Sequence, residues 1–344
     1  MLLITLTASL IRSGAGCSMN FDDKENIAKK HNTMGYKNSK RKHTKNKHSH
    51  KSNSDEETKE EHAAPQKHIF EDDGRTFVKT SAGADNSDDE NDDSPSKKSC
   101  TRSALRLLRE KYYVGYEIYK LMTKKEIFNF FLDCSKPDYD VESAVHESLH
   151  SIDLIPWANS FKYYQPDGTT LCMPQKNLFY RREIANYLNA EDLNNFAATY
   201  LSGKSWNQDI GTLLDELSAY TYSLEMQKIL YNPNTENHVH QSSDRDWLAT
   251  FMQYTELYLK CARLKHPDDW EKIYSDENYL HVIQTLRSRA EKVMASSLWI
   301  KEIGINDGPI LKKVYNNSNI NELITTFKKG NKEFVYKKPP LESL

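Results

Sequence analysis

What this chain lacks narrows its class before anything it contains. Its five cysteines, Cys17, Cys100, Cys134, Cys172 and Cys261, form no Cys-x-x-Cys pair, which argues against a zinc ribbon. No stretch after the N-terminus approaches the roughly 18–20 apolar residues of a spanning helix, so no transmembrane helix is expected. A glycine-rich phosphate loop and internal repeats are both missing. Large apolar side chains are scarce over 18–100. That stretch carries a basic, His-rich run over 37–51 and an acidic run over 85–93, and it cannot bury enough apolar surface to offset its ordering entropy. It reads as a disordered charged tail. No aromatic residue is interleaved in the basic run 40–51 to stack on bases, so the tail gives no strong nucleic-acid signal. The opposed runs largely cancel, leaving a formal net charge of −2 over 344 residues.

Residues 1–17 form a candidate signal or lipoprotein segment. The apolar run 2–11 is too short to cross a membrane. It is followed by Ser-Gly-Ala-Gly-Cys at 13–17, small residues before a cysteine, as in bacterial lipoprotein signals. Two features depart from that pattern: no basic residue precedes the run, and Gly14 stands where leucine is usual. The expectation is export (periplasmic, envelope-anchored or secreted) over a cytoplasmic location, with Cys17 the place for a lipid anchor. In an oxidising compartment Cys134 and Cys172 would be candidates for a disulfide; otherwise both are buried thiols.

From Thr101 onward Leu, Ile, Phe, Tyr and Trp are plentiful, enough for a real core. Apolar residues recur at spacings of three and four, which predicts helices over 101–121, 123–132, 141–154, 178–187, 190–201, 212–230, 243–264 and 268–297. Around 160–176 the turn chemistry of Gln165-Pro166-Asp167-Gly168 suggests a small hairpin. The fold class expected is mainly α, or α+β with at most that hairpin, in one domain over 101–344.

One pattern in this body carries chemistry. Residues 146–150 read His-Glu-Ser-Leu-His, within a segment whose stripe Val141, Ala144, Val145, Leu149 and Ile152 fits a helix. Histidines four apart project from the same helix face, so His146 and His150 can reach one zinc ion. Glu147 lies beside the first of them, placed to take a proton from water and later hand it to a leaving amine. A catalytic zinc needs a third protein ligand, and no further His follows within a dozen residues. Glu216 is the leading candidate, because a carboxylate at the edge of the stripe Leu213, Leu214, Leu217, Thr221 and Leu224 needs a partner. Tyr220 and Tyr222 are candidates to donate a hydroxyl proton to a developing oxyanion; His238 and His240 could likewise donate to it from a ring N–H, or could bind metal. Arg245, in the helix-capping run Asp244-Arg245-Asp246, could pair with a ligand carboxylate.

His146, Glu147 and His150, followed at a distance by Glu216 with Ala219 and Tyr220, resemble the gluzincin type of metallopeptidase. The likeness is greatest to little-characterised bacterial proteins that combine these two helices. It covers roughly 138–226 and rests on two short motifs. It implies a zincin-like helical body, zinc on His146, His150 and Glu216, Glu147 as general base, and a peptide or protein substrate. In the thermolysin-like pattern an Asp follows the ligand Glu by four residues; here that place holds Tyr220, and Asp153 or Asp215 would have to do the supporting work. Gly211-Thr212-Leu213-Leu214-Asp215 echoes the aspzincin pattern, which would make Asp215 the third ligand, but Ser218-Ala219 replaces its continuation. The rival function is a non-catalytic metal-binding or interaction module that uses the charged tail as its contact surface.

Overall fold

The computed structural model describes residues 66–72, 75–81, 95–136, 138, 140–155, 160–188, 200–202, 207–233, 244–304, 307–315 and 318–329. The candidate signal segment 1–17, the basic run 37–51, the acidic run 85–93, most of the expected helix 190–201, and His238 and His240 lie outside them.

The described architecture is mainly α, as the periodicity predicts. Strands β1 (Gln66–Asp72) and β2 (Arg75–Ser81) pair antiparallel from Gln66 opposite Ser81 to Asp72 opposite Arg75. This hairpin falls within the stretch expected to lack order. Helices α1 (Pro95–Lys111), α2 (Tyr113–Leu121) and α3 (Lys125–Phe131) come next. The expected single helix 101–121 begins earlier and breaks at Tyr112, whose backbone leaves helical geometry (φ −142°, ψ 74°) while its hydroxyl donates to Glu225 Oε2 at 2.9 Å. A tertiary hydrogen bond holds the break, with neither proline nor glycine at that position.

Helix α4 (Val141–Asp153) carries the His-Glu-Ser-Leu-His motif and runs into a three-stranded antiparallel sheet of β3 (Leu154–Ile155), β4 (Ser160–Tyr164) and β5 (Thr170–Pro174). The β4–β5 turn is the expected hairpin, with Gly168 at φ 82° where the turn needs a left-handed residue. A 3-10 turn (Arg181–Tyr187) stands where an α-helix over 178–187 is expected. Helices α5 (Ile210–Leu230), α6 (Asp244–Lys265), α7 (Pro267–Tyr274) and α8 (Glu277–Ser297) form the rest of the centre. The expected run 268–297 is therefore two helices, the second capped by Asp276, which accepts from the amides of Asn278 and Tyr279. Helices α9 (Asp307–Tyr315) and α10 (Ser318–Lys329) close the body. Among the described residues no helix is long and apolar enough to cross a membrane.

Two apolar cores meet at α5. One gathers α1 to α4, with Leu108, Ile118, Ile127, Phe128, Val145 and Leu149, against Ala219, Tyr222 and Met226 of α5. The other gathers the sheet and α6, α8 and α9 against Leu213, Leu214, Leu217 and Leu224 of the same helix. Helix α5 is thus buried on both sides, not along the single stripe that its sequence suggests. Burial on both sides sets its carboxylates, Asp215 and Glu216, inside protein, where each needs a compensating partner.

Cys100 and Cys134 form a disulfide, with a Cα–Cα distance of 5.7 Å. The expected pairing of Cys134 with Cys172 is corrected by this: Cys172 lies on β5 opposite Lys162, while the turn after α3 brings Cys134 back against α1. Arg245 is corrected too. It is buried and bonds Asp307 at 2.7 Å and the carbonyls of Ser297 and Ile300, so it ties α6 to the C-terminal segments and not to a ligand carboxylate.

Candidate metal centre

Helices α4 and α5 pack together so that one turn of each faces the other. Asp140 starts α4 from a left-handed conformation (φ 54°), its carbonyl accepting from Ala144 N and its carboxylate from Ser143 Oγ. The other end of the pair is fixed by Asp209, which caps α5 by accepting from Gly211 N at 2.9 Å. Between these ends His146 and His150 rise from α4 one turn apart, and Glu216 projects from α5 toward them.

His146, His150 and Glu216 each offer a ligand atom, and the three atoms lie within 4.8 Å of one another. The Nε2 atoms of the two histidines are 3.1 Å apart. Glu216 Oε2 stands 3.7 Å from His146 Nε2 and 3.6 Å from His150 Nε2. Two ligands at 2.0–2.1 Å on a tetrahedral ion sit roughly 3.3 Å apart, so this triangle has the size of a coordination face.

The outer bonds of the rings decide which way their lone pairs point. His150 Nδ1 lies 2.9 Å from Asp215 Oδ2, a carboxylate oxygen that only accepts, so the Nδ1–H is on that side. His146 Nδ1 lies 3.2 Å from Ser223 Oγ, whose own proton goes to the Ala219 carbonyl, so this ring donates outward as well. With both rings neutral, two Nε2 lone pairs and one carboxylate oxygen converge. Glu216 Oε2 is buried, and both ring nitrogens stand beyond hydrogen-bond reach of it. Such a set repels itself unless a cation lies among its members. Without a metal, a proton serves. Burial opposes charge on His150, but Asp215 and Glu216 outweigh it and hold the ring well above its usual range; Glu216, despite burial, is held well below the carboxylate range by the two histidines.

The remaining predicted residues are distributed as follows. Glu147 is half-buried on α4, and its charge is felt at the Tyr200 hydroxyl. Tyr220 lies against the centre, its ring 4.3 Å from that of His146, and its hydroxyl neighbours that of Tyr200. Tyr222 points elsewhere, donating to the Tyr164 carbonyl at 2.8 Å beneath the Arg289 guanidinium. Asp153 accepts from Tyr164 N at 3.0 Å, so the carboxylate seen orienting a histidine is Asp215.

Three neighbours of the centre escape the sequence reading. Ser223 stands seven residues after Glu216, two helical turns along the same face, a spacing that could have revealed it. Arg181 opens the 3-10 turn and Tyr200 falls at the end of the expected helix 190–201; neither spacing carries a signal that would point to the centre. Arg181 is buried, donating to the Tyr200 carbonyl at 2.9 Å and to Thr212 Oγ1 at 3.1 Å; burial lowers its pKa, and Glu216 first among the nearby groups raises it. Asp244 is half-buried, with its Oδ2 buried, and lies near His146 and Asp140; desolvation and Asp140 push it up to about 7, with His146 acting the other way.

No family model, curated protein or solved structure matches this chain. The geometry of the centre stands alone: a buried His146, His150, Glu216 group, with the helical His pair four residues apart, that could hold a metal ion.

Proposed function

We propose that this chain is a zinc-dependent hydrolase of the gluzincin type, cleaving peptide bonds in a peptide or protein substrate. The observation that supports it most is the convergence of two imidazole lone pairs and one carboxylate oxygen on a face of tetrahedral size, with Glu147 next to the first histidine. Two nitrogens and a carboxylate oxygen are a donor set that suits zinc, and three protein ligands leave a position open for chemistry. When bound, zinc supplies Lewis-acid polarisation of a carbonyl and lowers the pKa of water.

The protein's own groups do the rest. His146, His150 and Glu216 hold the ion; Asp215 and Ser223 fix the two rings by their outer nitrogens. Glu147 removes a proton from the attacking water and delivers it to the leaving amine. The neighbouring hydroxyls of Tyr220 and Tyr200 can share one proton between them and offer the other to the oxygen on which charge develops. Burial and the neighbouring Glu216 raise the Tyr200 pKa, so it keeps its proton at neutral pH.

The test is Glu147→Gln, which keeps shape and removes basicity. Both proteins, at matched zinc content, are incubated with a mixed peptide library and the products are read by mass spectrometry. Metal should be retained and cleavage should fall by about two to four orders of magnitude. A wild type that cuts nothing in the library turns the reading toward a non-catalytic metal-binding module. Equal cutting by both proteins removes Glu147 from the mechanism.

A further inference from the structure

A second group of ligand-bearing side chains lies outside the centre above and shares no residue with it. Glu183 comes from the 3-10 turn, Cys261 from the last turns of α6, and His266 from the junction before α7. Their ligand atoms all lie within 4.8 Å of one another, and His266 Nε2 is 2.9 Å from Glu183 Oε2. We propose that Glu183, Cys261 and His266 form a second metal site, for a borderline-soft divalent ion such as zinc, that clamps the 3-10 turn onto the junction of α6 and α7.

Each donor is held before any ion arrives. Cys261 is 2% exposed, packed in the larger core. The His266 ring stacks on Phe179 (centroids 4.2 Å apart, planes 4° off parallel), and Phe179 stacks in turn on Tyr258 at 4.0 Å. Backbone bonding adds to this, His266 N donating to the Ala262 carbonyl at 3.0 Å. Glu183 and His266 remain partly exposed, with side-chain exposures of 36% and 27%, so the outer side is open to water as a fourth ligand. An ion pair at the surface accounts for Glu183 with His266 and is worth about 0–1 kcal/mol. It does not account for the third donor. A sulfur, an imidazole nitrogen and a carboxylate oxygen from three segments are the donor types that zinc takes, and a hard ion such as magnesium does not.

Burial pushes the Cys261 thiol up, with the Tyr187 hydroxyl and Lys265 acting the other way. The thiol therefore enters as S–H, and the arriving ion displaces its proton to water. The Tyr187 hydroxyl is buried close to the sulfur, and its influence favours the thiolate form.

Cobalt separates the two sites by spectrum. The full chain is stripped with chelator and titrated with Co²⁺. A histidine–carboxylate site gives only weak visible bands, whereas a thiolate ligand adds an intense charge-transfer band in the near ultraviolet. Wild type should bind two equivalents and show the thiolate band. The band and one equivalent should be lost in Cys261→Ser and in His266→Ala, the latter altering a partly exposed residue, with helicity checked by circular dichroism. His150→Ala should keep the band, which isolates this site from the fate of the first. No thiolate band in the wild type overturns the proposal. So does a band that survives Cys261→Ser, or one that survives both His266→Ala and Glu183→Gln.

Discussion

At the scale of single residues, adjacent carboxylates on α5 have opposite duties. Asp215 meets the outer nitrogen of His150 at 2.9 Å, and Glu216 turns toward the inner nitrogens. Removing a ligand differs from removing the group that orients one. Asp215→Ala should weaken metal binding by about 10–100-fold, while Glu216→Ala should abolish it, measured by competition with a chromophoric chelator. Equal loss in both would make Asp215 a ligand. Asp209 offers a pH signature at the same scale. Burial raises its carboxyl to about 6, against an unfolded value near the ordinary Asp range of about 4. Between those values the folded chain holds a proton that the unfolded chain has released. Its contribution to stability is therefore full below about pH 4 and lost as pH rises through about 6. Asp209→Asn can still accept from Gly211 N, and its thermal midpoint should fall less than that of the wild type between pH 4 and pH 7. Parallel midpoint curves would remove Asp209 as the source.

At the scale of elements, the centre depends on how closely α5 approaches its neighbours. A Cβ on Gly211, in the first turn of α5, would overlap the Phe161 ring on β4, and the Gly211 carbonyl accepts from Tyr163 on the same strand at 3.0 Å. Gly211→Ala would improve an ordinary helix but here must push α5 away from the sheet. It should destabilise by about 1–3 kcal/mol, seen as a lower denaturant midpoint at unchanged slope; an unchanged midpoint would mean that the ring swings aside freely. The breaks at Tyr112 and Ser275 belong to this scale as well. Periodicity runs through both, because the apolar spacing on either side stays in phase, and only the tertiary bond from Tyr112 to Glu225 and the cap at Asp276 separate the helices.

At the scale of the whole molecule, the described helices form two cores that share α5. The Cys100–Cys134 disulfide, 34 residues apart in sequence, closes α1 to α3 into a loop beside the core that backs the motif helix. Constraining the unfolded chain in this way stabilises by about 2–4 kcal/mol. The double variant Cys100→Ser/Cys134→Ser should unfold several degrees lower than the wild type and keep its metal at room temperature, read by thermal denaturation and metal content. An identical midpoint would show that the packing of α1 already supplies the constraint.

Local spacing determined the residues that can be recognised from a single turn of helix: His146, Glu147 and His150 on α4, Glu216 as a carboxylate in an apolar setting, and the mainly α class itself. These follow from a period of 3.6 and from the free energy of burying charge, which act within a few residues. What the tertiary structure alone decided is which groups meet across elements. Asp215 and Ser223 orienting the rings, Tyr200 beside Glu147, Cys100 in place of Cys172 as the partner of Cys134, and Arg245 on Asp307 join residues from 34 to 77 positions apart. No sequence period reports such pairs, because the packing of both faces of α5 sets their distances.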